Sequence, residues 1–138
     1  MAQVIVTDSG FAADDWVGRF VMPGALSADD GRVAVDLASD ADLSVLDGRF
    51  SDIVIIRVDF PKFGDGRGFT IAARLRRMGF TGRLRARGHV IADQYAMARR
   101  SGFDEVEISH DLAARQPEDQ WRARADWAAH HYQARLRG

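Results

Sequence analysis

The stretch Ile53-Val54-Ile55-Ile56-Arg57-Val58-Asp59-Phe60-Pro61-Lys62-Phe63-Gly64-Asp65-Gly66-Arg67-Gly68 decides the fold. Its opening is apolar and largely β-branched, which suits a strand covered on both faces in a parallel sheet. Pro61 cannot donate to a sheet ladder, so the strand ends near Asp59 and Phe60. After Gly68, Ile71, Leu75 and Met78 recur at i, i+4 and i+7 with Ala72 beside them, the period of an amphipathic helix. Gly79 suits a left-handed helix end, onto which Phe80 folds back.

Working outward, the pattern repeats. Arg76-Arg77-Met78-Gly79-Phe80 leads into Arg83-Leu84-Arg85-Ala86, and Arg99-Arg100-Ser101-Gly102-Phe103 leads into Glu105-Val106-Glu107-Ile108. Each helix ends in Gly-Phe and a strand follows. Val90, Ile91, Gln94, Met97 and Ala98 mark the helix between. Toward the N-terminus, Val4-Ile5-Val6 reads as a strand and Asp8-Ser9-Gly10 as a turn. Val33, Val35 and Leu37 share one side of another strand. Ser39, with Asp40 and Asp42 in the first turn and Leu43 and Leu46 behind, predicts a helix. Pro117, Glu118 and Asp119 open a last helix with a stripe at Trp121, Ala125, Ala128, Tyr132 and Leu136. Trp127 falls off that stripe, either as an exposed partner contact or partly buried. The expectation is one α/β domain over residues 1–138. Its mainly parallel sheet has about four or five strands, doubly wound or resembling part of a β/α barrel.

The chain has 138 residues, enough to bury a core, with hydrophobic and charged shares of 46% and 28%. No apolar run approaches the ~20 residues of a membrane helix, and the N-terminus lacks a secretion signal, so a cytoplasmic location is expected. The absence of cysteine excludes disulfides, Cys-ligated metals and Cys nucleophiles. The net charge is -1. It hides acids concentrated before residue 60 and arginines concentrated from Arg67 to Arg100, a basic middle suited to an anion.

Ligands of parallel α/β sheets bind beyond the carboxyl ends of the strands. That rule gathers Asp59, Asp65, Arg67, Arg85, Arg87, His89, Asp93 and His110 on one rim. Gly64, Gly66 and Gly68 open the backbone at a helix start, and Arg67 adds a planar fork for an oxyanion. The candidate ligand-binding set is Asp59, Asp65, Gly66, Arg67, Gly68, Arg85, Asp93 and Gln94. The alternative is a structural turn in which Asp65 caps the helix and Arg67 pairs with Asp59 or Asp93. The spacing is neither a P-loop nor a dinucleotide fingerprint. His89, His110 and the adjacent His130-His131 show no metal-ligand spacing, and aromatics are too few among the arginines for nucleic-acid binding. No cofactor, metal, nucleic acid or membrane is expected as a partner, and self-association is left open.

Phe60-Pro61-Lys62-Phe63-Gly64-Asp65-Gly66-Arg67-Gly68-Phe69-Thr70-Ile71-Ala72 resembles a bacterial family of unknown function. So do Leu84-Arg85-Ala86, Gly88, Asp93-Gln94 and Arg100-Ser101-Gly102-Phe103-Asp104. Family members are commonly encoded beside assimilatory sulfite reductase and are often labelled oxidoreductases or accessory proteins of sulfite reduction. The resemblance is sharpest over residues 53–108. It singles out Phe60, Pro61, Phe63, Asp65, Gly66, Arg67, Arg85, Gly88, Asp93, Gln94, Gly102 and Phe103. The family usually carries an acid at the position of His89 and an apolar residue at that of Arg87. The resemblance implies sulfite reductase as a partner and a small anion as a ligand. It transfers no catalytic residue, and the chain carries no redox motif. The expected function is therefore an accessory protein of assimilatory sulfite reduction, binding an oxyanion or docking on the reductase. The alternatives are an interaction module without a ligand, or an enzyme with an acid or base on the rim.

Overall fold

β-branched runs and glycine-ended helices alternate from residue 33 to residue 108, and the chain folds accordingly. A computed structural model describes residues 3–16, 18–26 and 32–127. The strands are β1 (Val4–Thr7), β2 (Gly10–Ala13), β3 (Phe20–Val21), β4 (Val33–Leu37), β5 (Ile53–Phe60), β6 (Arg83–Gly88) and β7 (Glu105–Ile108). The helices are α1 (Arg67–Met78), α2 (Tyr95–Ser101), α3 (His110–Arg115) and α4 (Glu118–Arg122). Among the described residues no helix is long and apolar enough to cross a membrane.

The sheet has seven strands in the order β2-β1-β7-β6-β5-β4-β3. Strands β3 to β7 run parallel to one another, and β1 and β2 add a hairpin that pairs antiparallel with β7. The sheet is therefore mixed and larger than the four or five strands expected. The doubly wound alternative is also corrected. From β4 to β7 the chain steps one place at a time in one direction. Right-handed crossovers then set α1 and α2 on the same face, and α3 and α4 join them there through Leu112 and Trp121.

That face is the apolar core. Val35, Leu37, Ile56, Val58, Phe60, Leu84, Ala86, Val106 and Ile108 from the strands meet Ile71, Ala72, Leu75, Tyr95, Ala98, Leu112 and Trp121 from the helices. Each helix end before a strand is built the same way. Gly79 (φ 107°) and Gly102 (φ 119°) take the left-handed conformation, Phe80 N donates to Leu75 O, and Phe103 N donates to Ala98 O. Arg76 and Arg99 each donate to the carbonyl of the phenylalanine four residues on. Arg76 also holds the carbonyls of Gly82 and Gly102, so it is an internal brace.

The expected helix after Ser39 is only a 3-10 turn, Leu43–Leu46, and Asp42 rather than Ser39 caps it through Ser44 N. The last helix is interrupted within the described residues, where Ala125 of its stripe falls in a turn. α4 ends at Arg122, and Ala128, Tyr132, Leu136, His130 and His131 lie outside the described residues. Trp127 packs against the core, with Arg99 4.5 Å over its ring and its indole N–H donating to Asp8.

The other sheet face is charged. Asp36, Arg57, Arg85 and Glu105 are neighbours across β4, β5, β6 and β7. Arg83, Arg87 and Glu107 project on the same side, because alternate residues of a strand share a face. Among the described residues no helix covers them. Instead the segment between β2 and β3, which form opposite edges of the sheet, crosses over this face. Its seven residue steps reach at most ~25 Å. Six flat strand gaps would span ~29 Å. The sheet must therefore curl around the crossing segment.

Candidate functional site

The crossing segment and the charged face together form an ion-pair network. Arg85, with no exposed side-chain surface, donates to Asp14 (3.0 and 3.1 Å), to Glu107 (2.8 Å) and to Glu105. Arg83 binds Glu105 and Asp15. Arg57 grips Asp36 with two bonds (2.6 and 2.7 Å), reaches Glu107, and lies 3.7 Å from the centre of the Phe20 ring. Burial disfavours the Arg85 cation, but the hydrogen bonds and charges of Asp14 and Glu105 outweigh it and raise its pKa. A guanidinium satisfied on all sides by protein carboxylates has nothing left for a ligand.

This corrects the expected role of Arg85. It lies within the sheet, beneath Asp14, rather than opening on the rim. Arg67 is at the start of α1, exposed, and clasped by Asp65, whose carboxylate also accepts from Arg67 N (3.1 Å). The side-chain hydrogen bond from Arg67 lowers the Asp65 pKa to about 2. The turn alternative thus has the right capping acid, but Arg67 pairs with Asp65 itself rather than with Asp59 or Asp93. Arg67 lines a separate shallow groove with Ser39, Asp40, Thr70 and Arg74, so the two arginines share no pocket.

The remaining candidates separate clearly. Gly66 is the residue before the first turn of α1, and space is open around it. Gly68 is needed for packing, since a Cβ there would come within 2.3 Å of the Phe60 ring. Asp93 is exposed and binds Arg124 (2.6 Å). Gln94 is a brace: its Oε1 accepts from Ile91 N, and its Nε2 donates to Phe63 O, tying the loop after β6 to the loop after β5. His110 is exposed in the first turn of α3, which Ser109 caps through Leu112 N.

Of the candidate ligand-binding set Asp59 lines a cleft at the strand ends, and Arg87 and His89 of the expected rim join it there. The cleft lies at the carboxyl ends of β5, β6 and β7 and has a volume of about 460 Å³. Arg87, His89, Glu107, Ser109 and Arg115 supply its other chemistry, and Pro61 and Phe63 its apolar wall. Asp59 and Arg87 are direct neighbours across β5 and β6, and both also line a smaller hollow of about 190 Å³ beside Met22 and Asp36.

Local chemistry builds this cleft. Gly88 has φ 111°, and a Cβ there would sit 2.8 Å from Phe60 O and 3.7 Å from Asp59 Oδ1, so only glycine lets the chain turn beside both. Phe60 O accepts from His89 N (2.9 Å) and from His89 Nδ1 (3.1 Å). A carbonyl can only accept, so Nδ1 carries the proton and Nε2 is left for other chemistry. Phe63 stands edge-on to the imidazole, with centroids 4.8 Å apart. Arg87 reaches Glu107 at 3.3 Å and is nearly half exposed, and Arg115 pairs with Asp111 within its own helix turn.

Asp59 differs from the other acids of this region. Among the described residues no hydrogen bond or ion pair reaches its carboxylate. Arg115 and Ser109 lie beyond residue 108, past the stretch where the family resemblance is sharpest. Glu107 had a signal: its alternation with Glu105 matches that of Arg83, Arg85 and Arg87 two elements earlier. Among the described residues no group of three or more His, Asp or Glu is placed to hold a metal ion.

Fold and cleft together define a singly wound, mixed-sheet α/β protein with a polar cleft at the carboxyl edge of its strands. The chain belongs to the family described as bacterial protein of unknown function (DUF934), whose model matches residues 34–138. Among curated proteins, none matches.

Proposed function

We propose that this protein binds a small oxyanion in the rim cleft and acts as an accessory protein of assimilatory sulfite reduction. The observation that carries the binding half is the convergence of Arg87, Arg115 and His89 on one cleft at the strand ends, where ligands of such sheets bind. Glu107 is shared among Arg57, Arg85 and Arg87, so its one charge cancels only part of the charge of the arginines around it. The sulfur-assimilation half rests on the family resemblance. The site differs from the one the sequence suggested: Arg87 and Arg115 take the places given to Arg67 and Arg85.

Calorimetric titration with sulfite tests the binding. The parent protein binds, Arg87→Ala and Arg115→Ala weaken binding by about tenfold or more each, and Arg67→Ala leaves it unchanged. No heat from the parent protein ends the reading. The pathway is tested by a deletion strain that fails on sulfate and grows on sulfide or cysteine. Equal growth on all sources removes the accessory role. A second reading is an acid–base enzyme, favoured by Asp59 and His89 lining the same cleft with Nε2 unoccupied by the Nδ1 tie to Phe60.

A further inference from the structure

We infer that Asp59 makes the rim cleft selective for oxyanions that still carry a proton, such as hydrogen sulfite or hydrogen phosphate, over fully ionised sulfate. This rests on the oxyanion reading of the cleft and deepens it.

The argument is one of hydrogen-bond matching. Cations in the cleft attract any small oxyanion. A carboxylate among them does not: ionised, it is an acceptor only. It repels an anion whose oxygens are all acceptors, and it welcomes one that brings an O–H. Every other acid near the cleft is already engaged. Glu107 takes bonds from Arg57 and Arg85 and pairs with Arg87, and Asp36 is gripped by Arg57. Asp59 has no partner among the described residues, although Arg87 is its direct cross-strand neighbour. Arg87 turns toward Glu107 instead.

The shape of the cleft keeps this acceptor available. Gly88 brings no side chain beside Asp59 Oδ1. The charged and titratable groups that share these hollows with Asp59 are Arg87 on β6, His89 after it, Glu107 on β7, Arg115 on α3 and, in the smaller hollow, Asp36 on β4. An oxyanion held by Arg87 and Arg115 therefore meets one unpaired carboxylate. The contact with Asp59 is a charge-assisted O–H···O bond if the anion carries a proton, and a repulsion if it does not.

The experiment compares phosphate, sulfite and sulfate by calorimetry at constant ionic strength between pH 6 and pH 8. Phosphate and sulfite are expected to bind about 10- to 100-fold more tightly than sulfate, the span of one charge-assisted hydrogen bond. Sulfite affinity is expected to rise as pH falls and its protonated fraction grows. In Asp59→Asn, whose amide can donate, sulfate affinity rises, phosphate affinity falls and the pH slope for sulfite flattens. Circular dichroism and a denaturant midpoint confirm that the variant is folded. If it is not, the anion ranking and pH slope of the parent protein decide alone. Sulfate binding as tight as phosphate in the parent protein overturns the selectivity and leaves oxyanion binding standing. Failure of all three anions to bind overturns both.

Discussion

The two faces of the sheet are built on opposite principles. On the helical face, Ile56, Val58, Leu84 and Val106 are buried by non-directional apolar contact. On the other face, the alternate residues of the same strands are Arg57, Arg85 and Glu105. Arg85 and Glu105 are buried too, with Arg57 partly exposed beside them, but by paired charges beneath a crossing segment. An apolar contact can be weakened gradually. A buried charge whose partners are removed leaves other charges stranded in a medium that solvates them poorly.

The comparison is broken most severely at Arg85. In Arg85→Ala, Asp14, Glu105 and Glu107 lose their shared cation at once. The expected destabilisation is about 3–5 kcal/mol, read from the urea midpoint. Leu75→Ala, a cavity on the helical face, is expected to cost about 2–4 kcal/mol. The discriminating variant is a set: Arg85→Met with Glu105→Leu and Glu107→Leu should recover much of the loss, because an apolar replacement strands no buried acid. If Arg85→Ala costs less than about 1 kcal/mol, the charged face is not holding the fold.

A smaller effect follows from acid. Burial pushes the Asp14 carboxyl up, but hydrogen bonds from Arg85 and the Trp16 amide, with the Arg85 charge, prevail and hold it below its ordinary value. Asp15 is held down by Arg83. A carboxyl depressed in the folded state contributes stability that is present above its unfolded pKa of about 4 and is lost as pH falls through the folded value. The parent protein should therefore exceed Asp14→Asn in stability at pH 7, with the gap closing as pH falls below about 4. A gap that is constant from pH 7 to pH 3 means that Asp14 does not anchor the crossing segment ionically.

The sequence was most legible where one residue fixes one conformation. Pro61 stops β5, and Gly79 and Gly102 end helices in the left-handed conformation, so the βαβ core could be read from spacing alone. It was least legible where charge was concerned. Nine arginines between Arg67 and Arg100 looked like a surface for anions. Their partners Asp14, Asp15, Glu105 and Glu107 are remote in sequence from most of them, and only the sheet order brings them together. Arg83, Arg85 and Arg87 alternate, as do Glu105 and Glu107, and strands that alternate in opposite charge pair face to face. That signal was present but cannot be told from exposed alternation without knowing that β6 and β7 are neighbours. Of the candidate ligand-binding set only Asp59 lines the cleft, joined by Arg87 and His89 of the wider rim, because their places follow from the strand ends. Arg115 enters from a helix whose packing no local pattern fixes.

The mildest effect expected is the one that most sharpens the contrast between a buried and an exposed guanidinium. Arg67 and Arg85 both bind carboxylates at hydrogen-bonding distance, yet Arg67 is 59% exposed at its side chain and Arg85 is 0%. In water an ion pair exchanges one set of good interactions for another, and salt screens what remains. Arg67→Ala should therefore leave the urea midpoint and the sulfite titration within experimental scatter, in low salt and in high. The depressed Asp65 carboxyl should titrate nearer its ordinary value once the guanidinium is gone, an outcome that NMR of the carboxyl carbon would follow. Loss of sulfite binding in this variant would return the site to the start of α1 and empty the rim cleft of its role.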